Sequence, residues 1–415
     1  MNNVHIIAGG TICHIRPHLA LCAPAYGSVG DDLFRLCCKY FKDMTVNKQV
    51  TRMAGGPSHL ETNEDVEKFI DELIIDPNTK VLFMPVALCD FKPISLEAEL
   101  IGPVFFTKFS DKIGKDYPRL STSQGNIHIT CTPTEKLVSK VRKNRKDIFL
   151  IAFKATTNDT EDEMFNAGMN LLKASSCNLV LVNDIKTNVN MILTPEMARY
   201  EVTTDRYQAL KQLVIMAAKR SSLTYHRTIL TKGELIKWDS VLIPNNLRTV
   251  VEYCVAHNAY KPFNGTTVGH YGFLVGPDKI ISSRRKCNYN NLEGRHMVEV
   301  RFENDKQFAC QKPSAGVRSQ RELFKQSGKF DCVVHFHCPI KTGSNVNIQS
   351  QFEFECGSLE CGKNTIEGMR QHGDNIAAVM LDKHGPNILF RHDTDPQEVI
   401  QFINDNFDLS KSTSE

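Results

Sequence analysis

No run of about 18 apolar residues occurs in the 415-residue chain, which excludes a helix that spans a bilayer. Neither sign of charge dominates: 50 Lys+Arg against 47 Asp+Glu leave a formal charge of +3. Composition therefore demands neither a nucleic acid nor a membrane as partner. The opening MNNVHIIAGG has no basic leader and no secretory apolar segment, and it reads as that of a cytoplasmic chain whose fourteen scattered cysteines are mostly free. Cys356 and Cys361 lack a second thiol pair, which favours two semi-buried thiols over a four-ligand metal site. Both G-x-G-x-x-G and G-x-x-x-x-G-K-[ST] are missing, so the usual dinucleotide and P-loop patterns are excluded. No repeat is evident, and the polar tail SKSTSE is expected to fray.

What is present fits two domains. A 415-residue chain with 41% hydrophobic and 23% charged residues is long enough for two or three cores. The strand NVHIIAG runs into Gly9-Gly10-Thr11, and Gly27 and Gly30 open the helical pattern DDLFRLCCKYF. Helix ETNEDVEKFIDELI precedes the apolar run KVLFMPVAL, after which DIFLIAF, EDEMFNAGMNLLKAS and CNLVLVND repeat strand, helix and strand. This alternation predicts a mainly parallel sheet covered on both faces, closed by a helix over 205–219. Beyond it short apolar stretches separated by Gly, Pro and Asn predict a more antiparallel sheet. The fold class is thus α/β, with a Rossmann-like three-layer domain over 1–221 and an α/β/α domain over 222–415.

In a parallel sheet the strand ends share one edge, so Gly9, Gly10 and Thr11 can converge with VALCDFKP (86–93), AFKATTND (152–159) and LVNDIKTN (181–188). Two readings compete. The glycines let backbone N–H groups approach a phosphate, or they form a plain tight turn in which Asp90 and Asn183 only cap loops. The basic cluster from Lys136 to Lys146 reads as a solvated helix end beside acidic neighbours rather than as a polyanion site.

Residues 1–220 resemble phosphopantothenoylcysteine synthetase, on IIAGGT, GSVG (27–30), VALCDFKP and LVNDI. The resemblance implies a nucleotide region lined by Gly9, Gly10, Thr11, Gly27, Gly30, Phe153, Asn183 and Asp184, with Asp90 near the base or the metal-triphosphate. CTP or ATP with Mg²⁺ would be the cofactor, and a nucleotide or small phosphorylated metabolite the ligand. Ala23 stands where the family has an asparagine, and an alanine cannot donate to developing oxyanion charge. The expectation is a nucleotide-binding domain with altered or lost ligase activity.

The stretch KFDCVVHFHCPI (329–340) carries His335 and His337 two apart, so strand alternation sends both imidazoles to one side and Phe336 to the other. His384, before Gly385, is the candidate third ligand. Three neutral nitrogens would leave Zn²⁺ an open position, whereas the alternative is a set of imidazoles bonded to backbone. Residues 245–392 resemble the class II aldolase/adducin family on LRTVVEYCVAHNAYKPFNGTT, IISSR, QKPSAG, VVHFHCP and DKHG. That resemblance implies His335, His337 and His384 as zinc ligands, with Ser283 and Ser314 near the substrate's anionic group and His335 and His337 in the catalytic centre. The family's carboxylate falls on Gly316 and its loop asparagine on Thr266.

Together these features predict a zinc-dependent aldolase-like lyase for a small phosphorylated or hydroxy-carbonyl substrate, joined to a nucleotide-binding domain. The alternatives are a CTP-dependent carboxylate–amine ligase with an accessory domain, and a non-catalytic binding or structural protein. Both resemblances imply a homo-oligomer.

Overall fold

The computed structural model describes residues 2–57, 59–99, 106–110, 112–122, 126–225, 227–304 and 306–414. The chain divides into two compact units, Met1–Leu193 with Tyr200–Ser221, and Thr194–Arg199 with Ser222–Glu415.

The first unit is built on strands β1 (Asn3–Ala8), β2 (Thr45–Val50), β3 (Thr79–Met84), β4 (Phe149–Thr156), β5 (Leu179–Asp184), β6 (Asn190–Leu193) and β7 (Arg199–Thr203). Their order in the sheet is β7-β6-β5-β4-β3-β1-β2. Strands β2, β1, β3, β4 and β5 run parallel, and β6 returns antiparallel to β5. β5 is buried along its whole length and β3 along most of it, as strands covered on both faces must be. The covering helices are α1 (Ser28–Tyr40), α2 (Asn63–Ile75), α3 (Leu137–Asn144), α4 (Glu161–Ser175) and α5 (Arg206–Arg220). α1 packs with α5, whereas α3 packs with both α2 and α4. Two starts are written locally, because Thr62 with Asp65 and Thr160 with Glu163 form reciprocal capping boxes at α2 and α4. The strand order reverses direction at β1, and beyond the ends of β1 and β3 the Ala87 N–H donates to the Gly9 carbonyl and the Thr11 N–H to the Ala87 carbonyl.

Two additions escape the periodicity argument. Ile12–Arg16 and Leu19–Cys22 form a hairpin, and Phe91–Glu99 pairs with both Phe106–Ser110 and Ile127–Pro133 in a separate three-stranded sheet.

The second unit holds a long, mostly antiparallel sheet. Its central strands are β8 (His270–Gly276), β9 (Lys279–Ser283), β10 (Met297–Glu303), β11 (Lys306–Ala309), β12 (Cys332–His335), β13 (Ile376–Leu381) and β14 (Gly385–Phe390), in the order β11-β10-β9-β8-β12-β14-β13. Short strands Thr228–Leu230 and Ile348–Gln349 add parallel to the two ends. Helices α6 (Asn245–Ala256) and α9 (Pro396–Asn406) pack together, as do α7 (Val317–Ser327) and α8 (Leu359–Gly368). One core gathers Trp238, Leu247, Tyr271, Phe336, Phe390 and Ile403, and a second gathers Val298, Val300, Leu323, Phe324 and Val333. The antiparallel sheet is therefore buried on both sides as well.

Candidate metal centre

At the end of β12, Phe336 turns into the core against Phe407, with ring centroids 5.8 Å apart. His335 and His337 turn the other way, as alternation requires. A turn between β13 and β14 brings in His384, and Gly385 makes its approach possible. The glycine has φ +146°, and a Cβ there would lie 2.0 Å from the Phe336 carbonyl oxygen. One potential ligand nitrogen from each of His335, His337 and His384 lies within 4.8 Å of the others. Ring centroids stand 5.1, 4.6 and 4.8 Å apart for the pairs 335–337, 335–384 and 337–384. Among the described residues no other group of three or more His, Cys, Asp or Glu is arranged to hold an ion.

All three rings are buried, at 1%, 6% and 3% exposure. His335 Nδ1 donates to the Pro386 carbonyl at 2.7 Å, leaving Nε2 buried with no protein partner. That is the arrangement expected of a metal-binding imidazole, whose second nitrogen is fixed by an acceptor. Burial pushes the His335 pKa down to about 4, against the opposing effect of the Pro386 bond, so the ring is neutral and able to donate its lone pair.

Ser283 and Ser314 are joined through their backbone, the Ser314 N–H donating to the Ser283 carbonyl at 2.8 Å. Ser283 Oγ accepts from the Tyr271 N–H at 3.2 Å, and Ser314 Oγ accepts from the Gly316 N–H at 3.3 Å. Thr266 is occupied elsewhere, donating to the Phe263 carbonyl. Glu322, on α7, faces α8, where its Cβ and Cγ would be 3.1 Å from a side chain at Gly362. The residue that sequence reasoning missed is His270, at the start of β8. It stands directly opposite His335 across the β8–β12 ladder, with ring centroids 4.6 Å apart. Burial, with His335 and His337 nearby, pushes its pKa well below the usual histidine range.

The tail does not fray. Thr413 donates from its N–H to the His337 carbonyl and from its hydroxyl to the His384 carbonyl, both at 3.1 Å, and Ser414 is buried. Composition suggested disorder, but two bonds to the backbone of the histidine turns hold the segment down.

In the first unit the candidate residues fall into separate groups. Gly9 has φ +97°, and a Cβ there would stand 2.3 Å from Thr51 Oγ1; one on Gly10 would stand 2.0 Å from the Ala23 carbonyl. Both glycines are thus required by the chain's own close packing. Gly30 serves the α1–β1 contact, 2.5 Å from Ala8 Cβ by the same construction, and Gly27 precedes α1 with φ +86°. Thr11 is fully buried, donating to Asn63 Oδ1 at 2.6 Å and accepting from the Cys89 N–H at 3.0 Å. Asp90 is exposed and paired with Lys136. Asn183 is buried and Phe153 half-buried. Asp184 accepts from the N–H groups of Asp159, Lys186 and Thr187 and from the Thr156 hydroxyl. Burial raises its pKa, but these donors outweigh that effect and hold the carboxyl well below its ordinary value. Within the basic helix end, Lys140 pairs with Glu67 and Asp71 of α2, and Arg145 with Asp147.

No family model and no curated protein matches the sequence. Among solved structures the chain is similar to the DNA/pantothenate metabolism flavoprotein from Streptococcus pneumoniae, at 17% identity, 52% of this chain, 97% of that one and a TM-score of 0.42. It is also similar to an L-fuculose 1-phosphate aldolase, at 12% identity, 39% and 82% coverage and a TM-score of 0.30. A third is YgbL from Escherichia coli, a putative aldolase/epimerase/decarboxylase, at 15% identity, 38% and 84% coverage and a TM-score of 0.28.

Proposed function

We propose that the chain is a zinc-dependent lyase of aldolase type, acting on a small hydroxy-carbonyl or phosphorylated substrate. In this reading residues 222–415 hold the metal, and residues 1–221 bind a nucleotide or phosphorylated metabolite. The observation that carries the proposal is the buried trio His335, His337 and His384, with His335 Nε2 left without a protein partner. Three neutral nitrogens suit Zn²⁺, and a fourth position on such an ion polarises a carbonyl and stabilises charge on its oxygen. The chain's own residues orient the site: Pro386 fixes the His335 tautomer, and Gly385 permits the His384 turn.

Protein purified without chelators is expected to carry about one zinc per chain, lost in His337→Ala, and to cleave small hydroxy-carbonyl phosphates. Protein free of any transition metal sinks the proposal. Nucleotide binding by the first unit is tested separately, by thermal shift with CTP and ATP in the presence of Mg²⁺.

A further inference from the structure

His270 is a fourth imidazole at this centre, outside the ligand trio. Gln320, from α7, directs its amide nitrogen at His270 Nδ1 at 2.9 Å. An amide NH₂ can only donate, so Nδ1 accepts and the ring proton resides on Nε2. Among the described residues that Nε2–H has no hydrogen-bond partner. The edge bearing Nε2 and Cδ2 occupies the place of a side chain at position 316, because a Cβ on Gly316 would lie 2.1 Å from both atoms. Position 316 is where the aldolase resemblance expects a carboxylate. The imidazole fills that space with a donor instead.

We infer that His270 is a substrate-facing residue of the metal centre, whose Nε2–H donates a hydrogen bond to an anionic oxygen of a small ligand chelated there. The inference rests on the metal-site reading above and adds a ligand class: compounds that present an oxyanion to this edge. A carboxylate at the same point would repel such an oxygen, whereas an N–H stabilises it. Gln320 is a positioning residue, acting through the tautomer it fixes.

The test uses the full zinc-loaded chain and acetohydroxamate, an anionic chelating probe, titrated by calorimetry. His270→Phe keeps a ring and removes the donor, while Gly316→Ala keeps His270 and displaces its ring. Neither alters a proposed metal ligand. Both variants are expected to hold zinc as the wild type does and to bind the probe on the order of 10- to 100-fold more weakly. If His270→Phe does not fold, Gly316→Ala alone decides. Affinity equal to that of the wild type, with zinc retained, overturns the inference and leaves His270 a packing residue. A wild-type chain that holds no zinc fails earlier, at the metal reading, so the two failures are distinguishable.

Discussion

His335 is buried beside three other imidazoles, and no carboxylate is paired with it. In the metal-free folded chain its pKa is pushed down to about 4 from 6.5, and His270 shifts in the same direction. As pH falls, the unfolded chain therefore takes up protons first. Stability from this source is complete above about pH 6.5 and declines toward pH 4, by ~3 kcal/mol for a depression of this size. Urea midpoints of chelator-treated protein at pH 7, 6 and 5 should fall in that order, and His335→Gln should flatten the slope. A wild-type midpoint indifferent to pH over this window would show that the ring is already solvated.

At the scale of elements, what was legible in the sequence depended on how each residue earns its place. Strands β3, β4 and β5 are continuous apolar runs because both faces of a parallel sheet are covered, and helices α2 and α4 announce their starts through Thr62 and Thr160. The separate sheet around Phe91–Glu99 gave no such signal, since in its partner Ile127–Pro133 no residue is fully buried. That His335 and His337 turn to one side and Phe336 to the other was legible from their spacing. His270 was not, because its place opposite His335 is made across 65 residues by the pairing of β8 with β12. The tail was misjudged for the same reason, as its partners are backbone carbonyls that no side-chain pattern reports. Because Thr413 ties the carbonyls of His337 and His384 together, removal of residues 410–415 should weaken zinc affinity on the order of 10-fold, the effect of losing outer support to a metal site. Competition with a chromogenic chelator measures this. An unchanged affinity would mean that the tail rests on the turns without restraining them.

At the scale of the whole molecule, each compact unit has its own sheet and its own candidate ligand. A ligand stabilises only the cooperative unit whose folded form it binds, by about 4 kcal/mol at a thousandfold excess over its dissociation constant. Zinc should therefore slow amide hydrogen exchange in β8, β12, β13 and β14 while leaving β1, β3, β4 and β5 at their metal-free rates. CTP with Mg²⁺ should do the reverse, most strongly near Asn183 and Gly9–Thr11. Exchange followed by mass spectrometry on the intact chain separates the two patterns. Protection of both sheets by zinc alone would show that the units unfold as one, and would remove the ground for treating the two sites as independent. Protection of neither sheet by CTP, with zinc still acting on its own, would leave the glycine loop with only the role its contacts already require, the close packing of Gly9 and Gly10 against Thr51 and Ala23.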